Sequence, residues 1–329
     1  MDAAAQQNFA FAFLSILFEG IPFVLFGTIV SGFIDIYMPP GLLERWLPRR
    51  TWLAVMMASL LGGIFPVCEC AIVPVIRRLV SKGLPVSCAL AFMLAAPIFN
   101  PITAYSTWQA FTGQQMMIQG QLLDASLVMM VLRCGLGVLV ACLIGWATMR
   151  MSLAMVLRKE ILQAVEREDG VGDQDVAALQ GFQILDDDTR LIAAMRSALK
   201  DFVDVAVYFT IGVAITALFN TGIAPSAADW LESLASDSLG GVAALMGLAF
   251  VLSLCSSSDA FIAATLAKFT YGAKLAFLTL GPMLDLKLLF LYQTLLRGRF
   301  ILMMAIGIAL SIFGAAVLFQ WYLSSQTLP

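Results

Sequence analysis

Three short polar clusters interrupt an otherwise apolar sequence, and their residue types define the chemistry open to the chain. The first is Pro66-Val67-Cys68-Glu69-Cys70, closed by Pro74. Two thiols flank a carboxylate: sulfur ligands suit soft, thiophilic acceptors, and a carboxylate can carry a proton. The second, Cys255-Ser256-Ser257-Ser258-Asp259, adds a third thiol, three hydroxyls and another acid. The third is a matched pair, Ala96-Pro97-Ile98-Phe99-Asn100-Pro101 and Gly281-Pro282-Met283-Leu284-Asp285-Leu286-Lys287. Cys68, Glu69, Cys70, Cys255, Ser256, Ser257, Ser258 and Asn100 are the candidate solute-binding residues. Asp259, Asp285 and Lys287 are the candidates for coupling or proton binding. The chain has no histidine, which excludes histidine-based metal sites, relays and triads, and no metal centre or cofactor is expected.

Plainer roles compete with each assignment. Cys68 and Cys70 could be small hydrophobes in a packed turn. Ser258 or Asp259 could cap a helix over 260–267. Capping leaves the rest of the polar run unexplained, and an aspartate at mid-membrane depth costs about 2.5–3.5 kcal/mol even on the mild insertion scale. Asp285 and Lys287 are two apart, so they do not face each other on a regular helix. Unless the chain unwinds there, each needs another partner, and Asn100 could stand opposite Asp285. Cys88, Cys134 and Cys142 sit on plain apolar stretches and read as packing residues. Glu19, Asp35, Asp204 and Arg133 are weaker candidates.

The elements that hold these clusters are read from hydropathy. The 329 residues are 60% hydrophobic and 12% charged, with mean hydropathy +0.90. Soluble domains carry about 25% charged residues, so an ordinary cytosolic enzyme, a nucleic-acid binder and a disordered chain are excluded. Apolar runs at 9–36, 51–80, 84–111, 123–149, 198–222, 239–267, 272–296 and 300–323 are each long enough to reach across a bilayer or into it and back. The N-terminal residues lack a positive signal-peptide region. The six cysteines all fall in apolar runs, which is no secreted disulfide framework. Residues 158–190 hold nine acids and four bases and read as a solvated linker with breakers at DGVGD and LDDDTR, helical over 151–168. The organisation is a first membrane repeat (1–150), an acidic linker (151–197) and a second membrane repeat (198–329).

A shift of 185 residues aligns the halves without gaps: Gly27 on Gly212, Gly62 on Gly247, Cys70 on Cys255, Pro97 on Pro282 and Asn100 on Asp285. Prolines Pro66, Pro74, Pro97, Pro101 and Pro282 mark helix breaks, which membranes tolerate only where protein or a wet cavity covers the freed backbone. Lys and Arg favour cytoplasmic loops. If runs 51–80 and 239–267 cross, the non-linker charges split five inside (Arg77, Arg78, Lys82, Lys268, Lys274) to five outside (Arg45, Arg49, Arg50, Arg297, Arg299). If both are re-entrant, the split is eight to two, with six spans, the linker inside and both termini outside. The second reading also inverts one repeat against the other, a recurring transporter plan. Arms of about 16 residues are long for half a membrane, which keeps eight spans in view.

FPVCECAIVPVIRRLVSKG, LAAPIFNPIT, LCSSSDAFIAA and GPMLDLK together resemble the predicted permease family that includes the bacterial exporters of trivalent organoarsenicals. That resemblance covers nearly the whole chain and implies secondary efflux of a small thiol-reactive solute through the bacterial inner membrane. This chain carries Glu69 between the two cysteines, where the family usually has a small residue. The fold expected is an all-α, polytopic membrane protein of two inverted repeats, with broken or re-entrant helices meeting near the midplane. The chain is expected to be no enzyme, to need no cofactor, and to have the solute and the bilayer as partners; a homodimer is compatible with it. The alternatives are a thiol oxidoreductase using Cys68 and Cys70, which lacks C-x-x-C and any haem-ligand pattern, and a channel-like facilitator. No phosphate-binding G-x-x-x-x-G-K-[ST] motif is present.

Overall fold

A computed structural model describes residues 3–38, 47–48, 50–64, 68–118, 121–169, 187–222 and 238–325. Pro66, Arg45, Arg49 and the middle of the linker lie outside the described residues. The chain is almost wholly helical: α1 (Ala3–Tyr37), α2 (Thr51–Leu60), α3 (Glu69–Ser81), α4 (Val86–Ala95), α5 (Pro101–Phe111), α6 (Ala125–Thr148), α7 (Leu153–Val156), α8 (Lys159–Asp169), α9 (Asp187–Gly222), α10 (Ser238–Leu252), α11 (Asp259–Thr265), α12 (Tyr271–Met283), α13 (Leu286–Tyr292) and α14 (Gly298–Ser325). One small hairpin pairs β1 (Gln115–Ile118) with β2 (Gln121–Asp124) antiparallel. Among the described residues, five helical stretches are long and apolar enough to cross a membrane: Gln7–Tyr37, Ala125–Thr148, Arg190–Leu218, Tyr271–Tyr292 and Gly298–Ser325. The expected all-α polytopic architecture is observed.

Neighbour contacts fix the direction of each element. Gly145, near the end of α6, faces Val55 of α2 and the Ser87 carbonyl at the start of α4. Gly62, just past α2, instead faces Ala96 and Phe99 at the α4–α5 break. So α2 runs inward from the face where α4 begins. The next helix, α3, returns to that face, because its end joins α4 through residues 82–85. The 51–80 run therefore doubles back as a hairpin, the arrangement that re-entry requires. We call its open end the linker face, since α7 and α8 dock there.

The second hairpin enters from the opposite face. Gln114 Nε2 donates to the Ala264 carbonyl, and the Tyr271 hydroxyl donates to the Gln115 carbonyl. Both ties place the outer end of α11 and the start of α12 beside the β-hairpin. Helix α12 runs inward from there until Gly281 lies near Asp259 and Ala249, and α10 packs along it. The 84–111 and 272–296 runs are broken spans: α4 stops at Ala95 and α5 starts at Pro101, while α12 stops at Met283 and α13 starts at Leu286. Proline at the first position suits α5, because its missing N–H would be unpaired there anyway.

Helices α1 and α9 pack against each other and run antiparallel. Gly20 meets Phe209, Ser31 meets Asp201, and Asp35 meets Ser197. Small residues set this close approach: a side chain at Gly20 would overlap the Phe209 ring, and one at Gly32 would meet Ala194 and Ala198. Gly27 abuts the Ala71 backbone of α3, whereas its sequence partner Gly212 abuts the Lys287 backbone of α13. Aligned glycines thus serve different neighbours.

The linker departs from the solvated loop expected. Its first part is interrupted at Leu157, which bridges antiparallel to Leu296, and Val156, Leu157 and Ile161 are buried. Arg158 N donates to the Leu295 carbonyl and Arg297 N to the Val156 carbonyl. The acids of LDDDTR do not end a helix: α9 starts at Asp187.

Candidate functional site

The inner ends of the two hairpins meet at one small cavity. Cys68, Glu69 and Cys70 reach it from the first hairpin, and Ser253 and Cys255 from the second. Lys287 at the start of α13 completes the polar part. Ile16, Glu19, Gly20 and Phe23 of α1, with Phe209 of α9, cover it. The cavity measures about 20 Å³, room for one water. The cavity is therefore too small for a solute, which enters only if α1, α9 or a hairpin moves, and exposed Glu19 and Phe23 lie at its rim.

Lys287 is the hub. Its Nζ donates to the Ser253 carbonyl at 2.9 Å and to Glu69 Oε1 at 3.3 Å, and lies 3.5 Å from Asp285 Oδ2. The ammonium thus donates to two acceptors and forms an ion pair with Asp285, whose Oδ2 has no hydrogen-bond partner. Ser253 is the one described non-glycine residue with positive φ, at 49°. That conformation is unfavourable for an L-residue by roughly 1–2 kcal/mol. It ends α10 and turns the Ser253 carbonyl onto the lysine.

The Asp285–Lys287 pairing follows from the unwinding considered at the sequence level. Leu284 and Asp285 are extended, and Asp285 Oδ1 accepts from Leu288 N at 2.6 Å, capping α13. No hydrogen bond joins Asn100 to Asp285. The Asn100 side-chain oxygen instead caps α5 from the equivalent position, accepting from the Ile102 and Thr103 amides, and it does not line the cavity. Backbone amides freed at each break take the nearest acceptor, so the aligned Asn and Asp share a capping task.

Asp259 corrects the sequence reading in another way. It starts α11 without capping it, and the Ser258 side chain does not cap it either. Its Oδ2 instead accepts from Arg133 Nη2 at 2.7 Å. Arg133 also donates to Thr107 Oγ1 at 2.8 Å and to the Ser256 carbonyl at 2.9 Å, and it is fully buried. A buried charge requires such a partner. Arg133 ranked low in sequence because its partner lies 126 residues away.

The remaining candidates separate clearly. Ser257 Oγ lies 3.6 Å from Cys255 Sγ. Ser256 and Ser258 do not line the cavity. Pro74 lies inside α3 rather than closing the break, and its carbonyl accepts from Ser31 Oγ at 3.2 Å. Pro97 lies in the turn between α4 and α5, and Pro282 next to last in α12. Cys88 and Cys142 are buried in the packed interior, and Cys134 Sγ reaches the Ile98 carbonyl at 3.7 Å. All six cysteines are free thiols. Among the described residues, no group of three or more Cys, Asp or Glu is placed to hold a metal ion.

Two features escaped the sequence reading. One is a half-buried knot towards the linker face: Arg78 binds Asp201 in two-pronged fashion (Nε–Oδ2 2.8 Å, Nη2–Oδ1 2.9 Å) and lies 3.3 Å from Asp35. The other is a cavity of about 310 Å³ lined by Arg77, Arg158, Glu160, Asp204, Tyr208 and Thr294. It abuts the α9 turn whose Phe209 covers the central site.

A family model described as a predicted permease, ArsP_1, matches residues 6–321. The chain is 33% identical over 307 residues to the UPF0718 protein YcgR of Bacillus subtilis, covering 93% of this chain and 95% of that one. It is 31% identical over 291 residues to a Streptococcus mutans protein named as a subunit of a two-component membrane permease complex, covering 88% and 87%. No solved structure matches.

Proposed function

We propose that this chain, which belongs to the predicted permease family, exports a small thiol-reactive solute by alternating exposure of the cavity between its hairpins. The observation that carries this reading is the convergence of Cys68, Cys70 and Cys255, from both hairpins, on one small cavity. Soft thiols select soft acceptors such as a trivalent arsenical. A monosubstituted arsenical, R–As(OH)₂, exchanges its two hydroxyls for two thiols: two As–S bonds form, two As–O bonds break, and the thiol protons leave with the hydroxyls as two waters. The third thiol gives the bound arsenic an exchange partner on the other hairpin, so binding stays reversible.

Two further observations support alternating access. The sequence-equivalent helices α1 and α9 are antiparallel, as inverted repeats require. The hairpins enter from opposite faces, so separating either from the centre would open the site to one side. The larger cavity at the linker face supplies an approach from the side assigned to the cytoplasm. By analogy with the Streptococcus relative, a second polypeptide is a candidate partner.

The test is uptake of a monosubstituted trivalent arsenical into everted membrane vesicles, with and without a proton gradient. Gradient-dependent accumulation supports export. Equilibration without accumulation would indicate a facilitator. No movement of the arsenical, with thiol oxidation instead, would indicate a redox protein.

A further inference from the structure

Charge counting at the central cavity leaves one negative charge over. Arg133 and Asp259 neutralise each other. At the central cavity the single ammonium of Lys287 meets two carboxylates, Glu69 and Asp285, all three buried. Asp285 is anchored at Oδ1 by the Leu288 amide, while its Oδ2, 3.5 Å from Lys287 Nζ, has no hydrogen-bond partner and does not line the cavity. Glu69 has only the 3.3 Å contact from Lys287 to Oε1, and its buried Oε2 has no hydrogen-bond partner although the residue lines the cavity. An unpaired charge is not tolerated in a buried, low-dielectric site.

We propose that the Glu69–Lys287–Asp285 triad holds one exchangeable proton in the closed, empty conformation, and that this proton returns with the empty carrier. The proton belongs to the two carboxylates jointly, and Glu69 Oε2 is the oxygen through which it meets the cavity. The groups facing the triad from the surrounding elements are Glu19 on α1, the thiols of Cys68, Cys70 and Cys255, Asp259 on α11 and Tyr292 on α13. Asp259 is held by Arg133, and the Tyr292 hydroxyl donates to the Met283 carbonyl at 2.8 Å. Glu19 is exposed and puts a further carboxylate at the cavity rim. Arsenical capture releases water and no net proton, so the counter-ion has to come from another group, and the triad has one to give. The coupling role thus falls on Glu69 and Asp285 in place of Asp259, resting on the permease reading above.

The experiment is infrared difference spectroscopy on the purified full chain across a pH titration, following the carbonyl band of protonated carboxyl groups. Wild type should show one such group, and Glu69→Gln and Asp285→Asn should each lose it, because either change balances Lys287 by itself. The Arg133→Gln/Asp259→Asn double variant should retain it, and Lys287→Met should show two. A wild type without the band, or an unchanged band in Glu69→Gln, overturns the proposal. If Glu69→Gln does not fold, Glu69→Asp decides: the band must shift in frequency, and an unshifted band overturns it. In vesicles, Glu69→Gln should exchange phenylarsine oxide across the membrane yet lose pH-gradient-driven accumulation at least tenfold. If wild type shows the band but neither binds nor moves phenylarsine oxide, the cargo reading fails and the proton site stands.

Discussion

Arg133 on α6 holds Asp259 at 2.7 Å across the boundary between the two halves of the chain, with both side chains almost wholly buried. The same guanidinium reaches Thr107 on α5 and the Ser256 carbonyl, so one residue of the first half pins the inner end of the second hairpin to a broken helix. The remaining oxygen of Asp259 and Nε of Arg133 have no hydrogen-bond partner. The pair is therefore structurally committed and incompletely satisfied.

Breaking such a pair strands the other charge. Asp259→Asn or Arg133→Gln alone should destabilise the protein by about 3–5 kcal/mol. An apolar replacement of both, Arg133→Met with Asp259→Leu, should recover most of that loss. Thermal unfolding in detergent across the four proteins of the cycle reads the coupling. Additive losses would mean that the two groups do not share their burial cost.

A second prediction concerns the cover over the cavity. Gly20 permits the Phe209 ring to lie against α1, and any side chain there would overlap the ring. Gly20→Ala should cost about 1–3 kcal/mol by overpacking and hold the cover open. Cys68 should then react faster with a small thiol reagent when Cys88, Cys134 and Cys142 are serine. Phe209→Leu added to Gly20→Ala should restore both stability and protection. Unchanged Cys68 reactivity in Gly20→Ala would show that α1 and α9 are not the cover.

The Arg78 knot makes the third. Arg78 on α3, Asp35 on α1 and Asp201 with Ser197 on α9 tie three elements towards the linker face, and Ser31 adds a bond to Asp201. Lysine keeps the charge but cannot reproduce a two-pronged contact. Arg78→Lys should lose about 1–2 kcal/mol, the scale of one charged hydrogen bond at a partly exposed site. It should also raise Cys68 labelling from the linker side more than from the other. Equal rise from both sides would make the knot a general staple with no gating bias.

The sequence revealed most where physics is local or statistical. The eight-to-two charge split favours re-entrant hairpins, and the contacts of Gly62, Gly145 and Gln114 show both runs doubling back. The 185-residue shift placed Asn100 on Asp285, and both cap the helix after a break. Long-range pairing was not legible: nothing near Arg78 or Arg133 indicates acids 123 and 126 residues away. Nor does an ordinary serine announce a left-handed backbone, so Ser253 appears only when its carbonyl is seen on Lys287. The helical start of the linker was legible, but not the burial of Val156, Leu157 and Ile161, because their partners lie in the segment between α13 and α14, far away in sequence.

Topology yields a fourth prediction. Six crossings with two hairpins place both termini on one side and the linker on the other. Single cysteines at positions 2, 180 and 327 should label from outside, inside and outside respectively, using a membrane-impermeant reagent on intact cells and on everted vesicles. Labelling of position 2 or 327 from inside would contradict the charge argument and remove the inverted relation between the halves.

The last prediction separates thiols that bind from thiols that pack. Cys68, Cys70 and Cys255 share the central cavity, whereas Cys134 faces the Ile98 carbonyl and Cys142 lies 3.2 Å from Ser59 Oγ. Serine keeps the approximate shape and removes the soft ligand. A dithiol site loses one of its two As–S bonds with either single replacement at Cys68 or Cys70, and both with the pair. Each single variant should therefore weaken phenylarsine oxide binding at least tenfold, about 1.4 kcal/mol, and the double variant should abolish it. Cys255→Ser should keep most of the binding and lose transport, because the exchange partner on the second hairpin is gone. Cys134→Ser and Cys142→Ser should leave both unchanged. Binding by equilibrium dialysis and transport in everted vesicles read the two effects apart. Full binding by the Cys68→Ser/Cys70→Ser protein would remove thiol capture from the mechanism.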